Sequence, residues 1–175
     1  MAIKVGQKIP SVTLHILGDK GPEPITTDDL FADKLVALFG LPGAFTPTCS
    51  AKHLPGYIEH AKKIRKAGAD DIVCLSVNDA FVMGAWGKQQ GAEGKVKMVA
   101  DGSARFTRAV GLELDLTDIG LGVRCQRFSM IVEDGVVKDI AVEPKPTEAV
   151  KSSAEKLLER MAKAYLDRGT AKTGI

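Results

Sequence analysis

The chain has 175 residues, 45% of them hydrophobic, which is enough for one domain with a sizeable core. Its 24 Lys and Arg residues nearly balance its 22 Asp and Glu residues, and a formal net charge of +2 argues against nucleic acid or an anionic membrane as a partner. The chain carries neither a basic N-terminal stretch followed by an apolar one nor an apolar run of about 18 residues, so we predict a cytoplasmic protein.

The first half of the chain predicts a strand, a helix and a second strand. The apolar run LVALFGL (35–41) ends at a Pro-Gly pair and is typical of a buried strand, as is DIVCLSVND (71–79). Between them, apolar residues recur at helical spacing from about Thr48 to Ala67, and Gly68 ends the pattern. Strands joined by such a helix are parallel, so this unit predicts parallel neighbours in one sheet.

Three segments then continue the alternation of helices and strands. They are a short helix AFVMGAWGKQQG (80–91), a strand KVKMVAD (95–101) and a helix GSARFTRAVG (102–111). Ser103 is the predicted N-cap of this last helix, and Gly111 is predicted to end it.

The C-terminal part predicts a β-hairpin and a helix. Asp134-Gly135 lies between two apolar runs and is typical of a two-residue hairpin turn. Helical spacing from about residue 148 to 165 predicts the last helix. The pattern as a whole predicts an α/β fold with a mixed sheet, in a single domain over 1–166, followed by a flexible tail over 167–175.

LPGAFTPTCS (41–50) places a cysteine where the first predicted strand passes into its helix. The chain has three cysteines, an odd number too small for a disulfide framework, and none forms a CxxC pair. Pro47 suits the first helical turn and Thr46 its N-cap, which puts Cys49 where unpaired N–H groups and the helix dipole favour a thiolate. The Thr46 hydroxyl can approach the sulfur, and Pro42 can shield it from water. The pattern therefore predicts a nucleophilic Cys49.

The pattern Pro42-xxx-Thr46-xx-Cys49, within FGLPGAFTPTCSAKHLPGY, resembles the active-site loop of peroxiredoxins of the type II (peroxiredoxin-5) branch. Three later segments resemble that branch in the same order: CLSVNDAFVMGAW (74–86), RFSMIVEDGVVK (127–138) and VEP (142–144). The resemblance covers roughly residues 1–160 and implies a thioredoxin-like fold, with helices flanking a mixed central sheet and a C-terminal β-hairpin and helix. It also implies a homodimer that pairs across the edge carrying the active-site loop.

The same resemblance implies a role for each matched side chain. Cys49 attacks the terminal oxygen of a hydroperoxide and becomes a sulfenic acid, while the Thr46 hydroxyl binds the sulfur and the peroxide. Pro42 shields the pocket, and Arg127, which opens RFSM, holds thiolate and peroxide together. This last role agrees with physical chemistry, because a permanently charged guanidinium stabilises both a thiolate and a leaving oxygen. No metal or other cofactor is implied.

The route by which the sulfenic acid is reduced is predicted to be external. Branch members that close an intramolecular disulfide have a cysteine near positions 151–153, where this chain reads VKSSA. Cys74 is a candidate resolving cysteine, but it lies in a predicted central strand and would reach the nucleophile only after local unfolding. Cys125 would face the same side as Arg127 only if a strand already begins there, whereas GLGVRC reads as a loop. We therefore predict reduction by glutathione or glutaredoxin, with thioredoxin as an alternative donor.

Other chemistry is open to the same cysteine. His53 follows Cys49 by one helical turn, so the two could serve as the nucleophile and base of a hydrolase, and His60 adds a third metal-binding side chain. Both readings are disfavoured, because hydrolase pairs usually come from separate elements and no second cysteine lies close in sequence. The alternative that stays open is a peroxide-responsive redox sensor or thiol-dependent binding protein on the same fold, without efficient turnover.

Overall fold

A computed structural model describes residues 1–173 of the chain. Its strands are β1 (Thr13–Gly18), β2 (Gly21–Thr26), β3 (Leu35–Leu41), β4 (Asp71–Ser76), β5 (Lys97–Ala100), β6 (Glu113–Leu116), β7 (Gly122–Cys125), β8 (Phe128–Glu133) and β9 (Val136–Val142). Its α-helices are α1 (Thr27–Phe31), α2 (Leu54–Glu59), α3 (Ala61–Lys66), α4 (Ala80–Gln90), α5 (Arg105–Ala109) and α6 (Ala154–Thr173). A π-helical turn (Cys49–His53) precedes α2, and a 3-10 turn (Thr117–Ile119) follows β6.

Seven of these strands form one mixed sheet in the order β2-β1-β5-β4-β3-β8-β9, and β6 pairs with β7 separately. The central strands β3, β4 and β5 are parallel, whereas β8 is antiparallel to β3 and β9 to β8. β1 is antiparallel to both β2 and β5. The predicted α/β class, the mixed sheet and the parallel pairing of the first two predicted strands are confirmed.

The core consists of one apolar cluster on each face of the sheet, because successive side chains of a strand point to opposite faces. In β3, Ala37, Phe39 and Leu41 belong to the cluster beneath α2, α3, α4 and α6. Val36 and Leu38 belong to the second cluster, beneath α1 and α5. We call these the α2 face and the α5 face.

The predicted hairpin is present between β8 and β9. Both turn residues have positive φ, 47° at Asp134 and 78° at Gly135, as a two-residue turn that matches the strand twist requires.

The helix predicted from 48 to 67 is interrupted twice. It opens with the π-helical turn and breaks again at His60, whose φ of −94° and ψ of 7° separate α2 from α3. Pro55 accounts for the first irregularity, because a proline has no N–H to donate to the carbonyl four residues earlier and its ring crowds that carbonyl.

The last helix begins at Ala154, six residues later than predicted. Its N-cap is Ser153, whose Oγ accepts a hydrogen bond from the N–H of Lys156 at 3.2 Å. The backbone N–H groups of Lys151 and Ser152 instead donate to the carboxylate of Glu143. Residues 143–153 therefore form an irregular connection between β9 and α6.

Two local predictions in the second half are wrong. The N-cap function predicted for Ser103 belongs to Asp101, whose carboxylate accepts from the N–H groups of Phe106 and Thr107. The segment GLGVRC, read as a loop, contains β7.

The predicted bounds of the domain and of the C-terminal tail are not tested by the structure. The single domain over 1–166 and the flexible tail over 167–175 remain predictions: the backbone of α6 runs to Thr173, and residues 174 and 175 lie outside the described residues. Among the helices described, none combines the length and apolar character needed to cross a membrane.

Candidate active site

The first residues of the loop after β3 are held in place by burial and by one hydrogen bond. Pro42 is buried at its start, and the Ala44 N–H donates to Asn78 Oδ1 at 2.9 Å, which fixes the loop to the end of β4. Phe45 has a φ of 64°, a left-handed conformation that a large side chain adopts at a cost, and its side chain is 51% exposed. Its ring lies 6.4 Å from that of Trp86. The loop therefore presents an aromatic side chain to solvent beside the cysteine.

The hydroxyl of Thr46 does not have the partner predicted for it. It donates to the Gly43 carbonyl at 2.6 Å, and among the described residues it makes no hydrogen bond to the Cys49 sulfur or to a helix N–H. The Thr46 carbonyl instead begins the helical segment by accepting from the Ser50 N–H at 3.0 Å. Since the single hydroxyl proton is used by Gly43, the Thr46 oxygen is left with lone pairs for a donor.

Cys49 and Arg127 meet in the interior, although 78 positions separate them. The Nη2 of Arg127 donates to the Cys49 sulfur at 3.1 Å. Its Nε and Nη2 also donate to the Pro146 carbonyl at 3.0 and 2.9 Å, and its Nη1 lies 3.0 Å from His53 Nδ1. Cys49 is fully buried and Arg127 is only 2% exposed. The structure thus places the guanidinium of Arg127 against the sulfur of Cys49.

His53 supports the guanidinium and is neutral. Because an arginine can only donate, His53 Nδ1 must accept from it, and the proton sits on Nε2, which donates to the Ser152 carbonyl at 3.1 Å. Burial, and secondly the charge of Arg127, lower the pKa of His53 to about 3, against a smaller opposing effect of the Ser152 hydrogen bond. Both ring nitrogens are therefore occupied, and neither is free to act as a base toward Cys49.

The geometry gives the hydrolase and metal readings no support. His60 directs its Nδ1 to the Gly56 carbonyl at 2.9 Å. Among the side chains that the structure describes, no three of His, Cys, Asp or Glu are grouped so as to hold a metal ion.

Cys74 lies on the α2 face of the sheet, in the same cluster as Cys49. It is fully buried on β4, opposite Phe39 of β3. Burial, followed by the charge of Cys49, raises the pKa of Cys74 well above its usual value, and the charge of Arg127 only partly opposes this. Cys74 is therefore a protonated thiol inside a packed sheet.

Cys125 lies on the α5 face, in the other cluster. Burial raises its pKa to about 12, and its thiol donates to the Gln126 carbonyl at 3.1 Å. The condition under which it would face the same side as Arg127 is not met, because β7 ends at Cys125 and β8 begins only at Phe128. The strand alternation on which that condition depended is interrupted. All three cysteines are free thiols.

Several groups at the site were not identified from the sequence. Arg124 packs over the loop, with its Nη1 3.1 Å from the Pro42 carbonyl, and a side chain at Gly43 would collide with it. The carbonyls of Pro146 and Ser152 hold the guanidinium and His53. Backbone carbonyls exist at every position, so no residue type marks them, and the sequence carries no local signal for them.

Comparison with known proteins agrees with this geometry. The redoxin family matches residues 4–158. Peroxiredoxin-2B of Arabidopsis thaliana is 46% identical over 160 residues, which cover 91% of this chain and 98% of that protein. The chain belongs to the peroxiredoxins.

Solved structures of other peroxiredoxins have the same fold. Reduced Prx3 of Vibrio vulnificus in complex with hydrogen peroxide is 48% identical, with a TM-score of 0.86, and the match covers 91% of this chain and 99% of that one. Peroxiredoxin 5 of Alvinella pompejana is 34% identical with a TM-score of 0.80, over 92% and 99% of the two chains. This peroxiredoxin therefore has the thioredoxin-like fold and is a thiol-dependent peroxidase with an antioxidant function.

Proposed function

We propose that the Cys49 thiolate reduces hydrogen peroxide and alkyl hydroperoxides. The sulfur attacks the terminal peroxide oxygen, a sulfur–oxygen bond forms as the oxygen–oxygen bond breaks, and the alkoxide or hydroxide leaves and takes up a proton. Cys49 becomes a sulfenic acid, and water or an alcohol is released. The observation that carries the proposal is the 3.1 Å contact between Arg127 Nη2 and the Cys49 sulfur.

Arg127 is proposed to stabilise negative charge on both sides of this reaction. Its cation lies against the sulfur before the attack, and the same cation is close to the oxygen that leaves. Four of its five N–H groups have acceptors among the described residues, namely Cys49, His53 and, twice, the Pro146 carbonyl. The remaining N–H, on Nη1, is the donor we assign to the peroxide.

Thr46 and Pro42 are proposed to complete the peroxide pocket. The Thr46 hydroxyl gives its proton to Gly43, so its oxygen can accept the O–H of an incoming hydroperoxide. Buried Pro42 offers a wall that neither donates nor leaves room for water.

Reduction of the sulfenic acid is proposed to use an external thiol, from glutathione or glutaredoxin, with thioredoxin as the alternative. Residues 150–154 read VKSSA, Cys74 is a buried thiol, and Cys125 lies on the other face of the sheet. Because Cys49 is fully buried, the helical turn that carries it must open before a second thiol can reach the sulfur.

We also propose a cytoplasmic homodimer that pairs across the edge with the active-site loop. The exposed Phe45 lies on that loop, and Phe81, 61% exposed, begins the neighbouring helix α4. Sedimentation equilibrium at micromolar concentration is expected to give a dimer that a charge at residue 45 dissociates. A monomer, or a dimer indifferent to Phe45→Glu, would rule this interface out.

Mass spectrometry after one equivalent of peroxide tests the recycling route. Without reductant, we expect a sulfenic acid at Cys49, trapped with dimedone. Rapid and stoichiometric formation of a disulfide with Cys74 or Cys125 would overturn it. Catalytic consumption of peroxide with glutathione and glutaredoxin supports the enzyme, whereas one oxidation without turnover supports the redox sensor.

A further inference from the structure

Residues 143–152, which connect β9 to α6, hold the site together through backbone carbonyls. The Pro146 carbonyl accepts two hydrogen bonds from Arg127, and the Ser152 carbonyl accepts from His53 at 3.1 Å and from Tyr57 Oη at 2.7 Å. The position of the guanidinium therefore depends on where an irregular segment places two oxygens. We call residues 143–152 the strap.

A buried carboxylate helps to hold the strap, together with Arg160, whose Nη1 donates to the Lys151 carbonyl at 2.8 Å. Glu143 is 5% exposed, and its Oε2 accepts from the Ser152 N–H at 2.8 Å and from the Ser152 Oγ at 2.5 Å. Its Oε1 accepts from the Lys151 N–H at 3.2 Å. In the described part of the chain it has no Lys or Arg partner within salt-bridge distance, so the donors of the strap alone offset the cost of burying it.

We propose that Glu143 is a positioning residue for Arg127. Its carboxylate holds the strap, the strap holds the carbonyls that orient Arg127 and His53, and the guanidinium then meets the Cys49 sulfur at 3.1 Å. The Glu143 N–H also donates to the Arg127 carbonyl at 2.9 Å, so its backbone and side chain act on the same residue. The inference rests on the proposed role of Arg127 in the peroxide reaction.

The variant Glu143→Gln keeps the shape of the side chain and alters one acceptor. Its amide oxygen can still accept from Ser152, but its amide nitrogen then faces the Lys151 N–H, donor against donor. Since a misplacement of about 1 Å can cost a reaction about 100-fold, we expect the rate constant of Cys49 with hydrogen peroxide to fall by roughly 10- to 100-fold.

A double-mutant cycle with Arg127→Gln isolates the positioning role. Oxidation of Cys49 is followed by stopped-flow fluorescence of Trp86, the single tryptophan, which donates to Ser50 beside the cysteine at 3.1 Å. If Glu143 acts through Arg127, Glu143→Gln slows the wild-type reaction but changes the rate less than about twofold in the Arg127→Gln background. A merely structural role would lower the rate equally in both.

Asp101→Asn is the matched control. Asp101 is likewise a buried carboxylate with three hydrogen bonds, from two N–H groups and one hydroxyl at the start of α5, and among the described residues it has no hydrogen bond to Arg127 or to the strap. We expect it to lower the melting temperature and leave the peroxide rate unchanged. Ser152→Ala, which removes only one donor to Glu143, is the milder variant and decides the cycle if Glu143→Gln does not fold.

The outcomes separate this inference from the proposed function. A full rate in Glu143→Gln, an equal loss in both backgrounds, or an equal loss in Asp101→Asn would overturn the positioning role. Retention of the wild-type rate by Arg127→Gln alone would instead contradict the role of Arg127 itself.

Discussion

Cys49 and Cys74 are both fully buried in the cluster on the α2 face, yet they differ in the groups that surround the sulfur. The Nη2 of Arg127 lies 3.1 Å from the Cys49 sulfur. Cys74 instead lies on the central strand β4, opposite Phe39 of β3, where burial keeps its thiol protonated. Burial by itself makes a thiol inert, because the thiolate is poorly solvated there. A buried cation in contact with the sulfur can offset that cost, and of these two cysteines on one face of the sheet only Cys49 has such a contact among the described residues.

Substitution of the nucleophile Cys49 is expected to have the largest effect on activity. Cys49→Ser is expected to abolish peroxidase turnover, because a hydroxyl in the same place is not ionised and does not attack peroxide. Cys74→Ser and Cys125→Ser are expected to keep most of the activity in a glutathione and glutaredoxin coupled assay. Turnover in Cys49→Ser would end the assignment.

Removing the cation is expected to have the next largest effect. Arg127→Gln should lower the rate constant with hydrogen peroxide by about 100- to 1000-fold, the range typical for loss of one preorganised donor. Arg127→Lys should recover little of this, since an ammonium cannot contact Cys49, His53 and the Pro146 carbonyl together. Stopped-flow kinetics measure both, and a fully active Lys variant would contradict the need for a planar fork.

Alkylation rates measure the difference in reactivity between the three cysteines directly. At neutral pH the folded protein should react with iodoacetamide at Cys49, at least about tenfold faster than at Cys74 or Cys125, whose raised pKa values and burial leave almost no thiolate. After denaturation, all three should react alike. Peptide mass spectrometry reads the sites, and equal labelling in the folded state would show that surroundings do not distinguish them.

His53 provides a smaller effect, on stability against acid. Its pKa is about 3 when folded and 6.5 when unfolded, so between these values the unfolded state binds more protons and stability falls as the pH falls. The contribution amounts to about 1.6 kcal/mol between pH 6.5 and 5, because the slope rises from half of roughly 1.4 kcal/mol per pH unit at pH 6.5 to nearly the full value at pH 5. His53→Gln should lose this slope while other groups titrate as before. Urea unfolding at the two pH values measures it, and parallel slopes would contradict a neutral buried imidazole.

The elements that the sequence predicted well are those with a strong local signal. A local pattern of a few residues predicts each of β3, β4 and the Asp134-Gly135 turn. We did not predict β2, which contains Pro22 and Pro24, and the structure places it at an edge of the sheet, where prolines are tolerated.

The site, too, contains residues that the sequence predicts and residues that it does not. Cys49 and its loop could be recognised from the chain itself, while Arg127 came only from the family resemblance, since it lies 78 positions after Cys49 and that separation gives no geometric clue. The contribution of Glu143 could not be predicted, because it acts through the shape of the strap and the direction of two backbone oxygens. Such contacts follow from the folded chain and not from residue types at a spacing.

The π-helical turn makes the site sensitive to the number of residues as well as to their identity. The Leu54 N–H bonds to the Cys49 carbonyl five positions back, so the turn holds one residue more than an α-helical ring would. A deletion of Ala51 would close it as an ordinary turn and bring Cys49 and His53 to three positions apart. Every side chain that contacts Arg127 would still be present, but the sulfur and the imidazole would no longer reach the guanidinium from their present places.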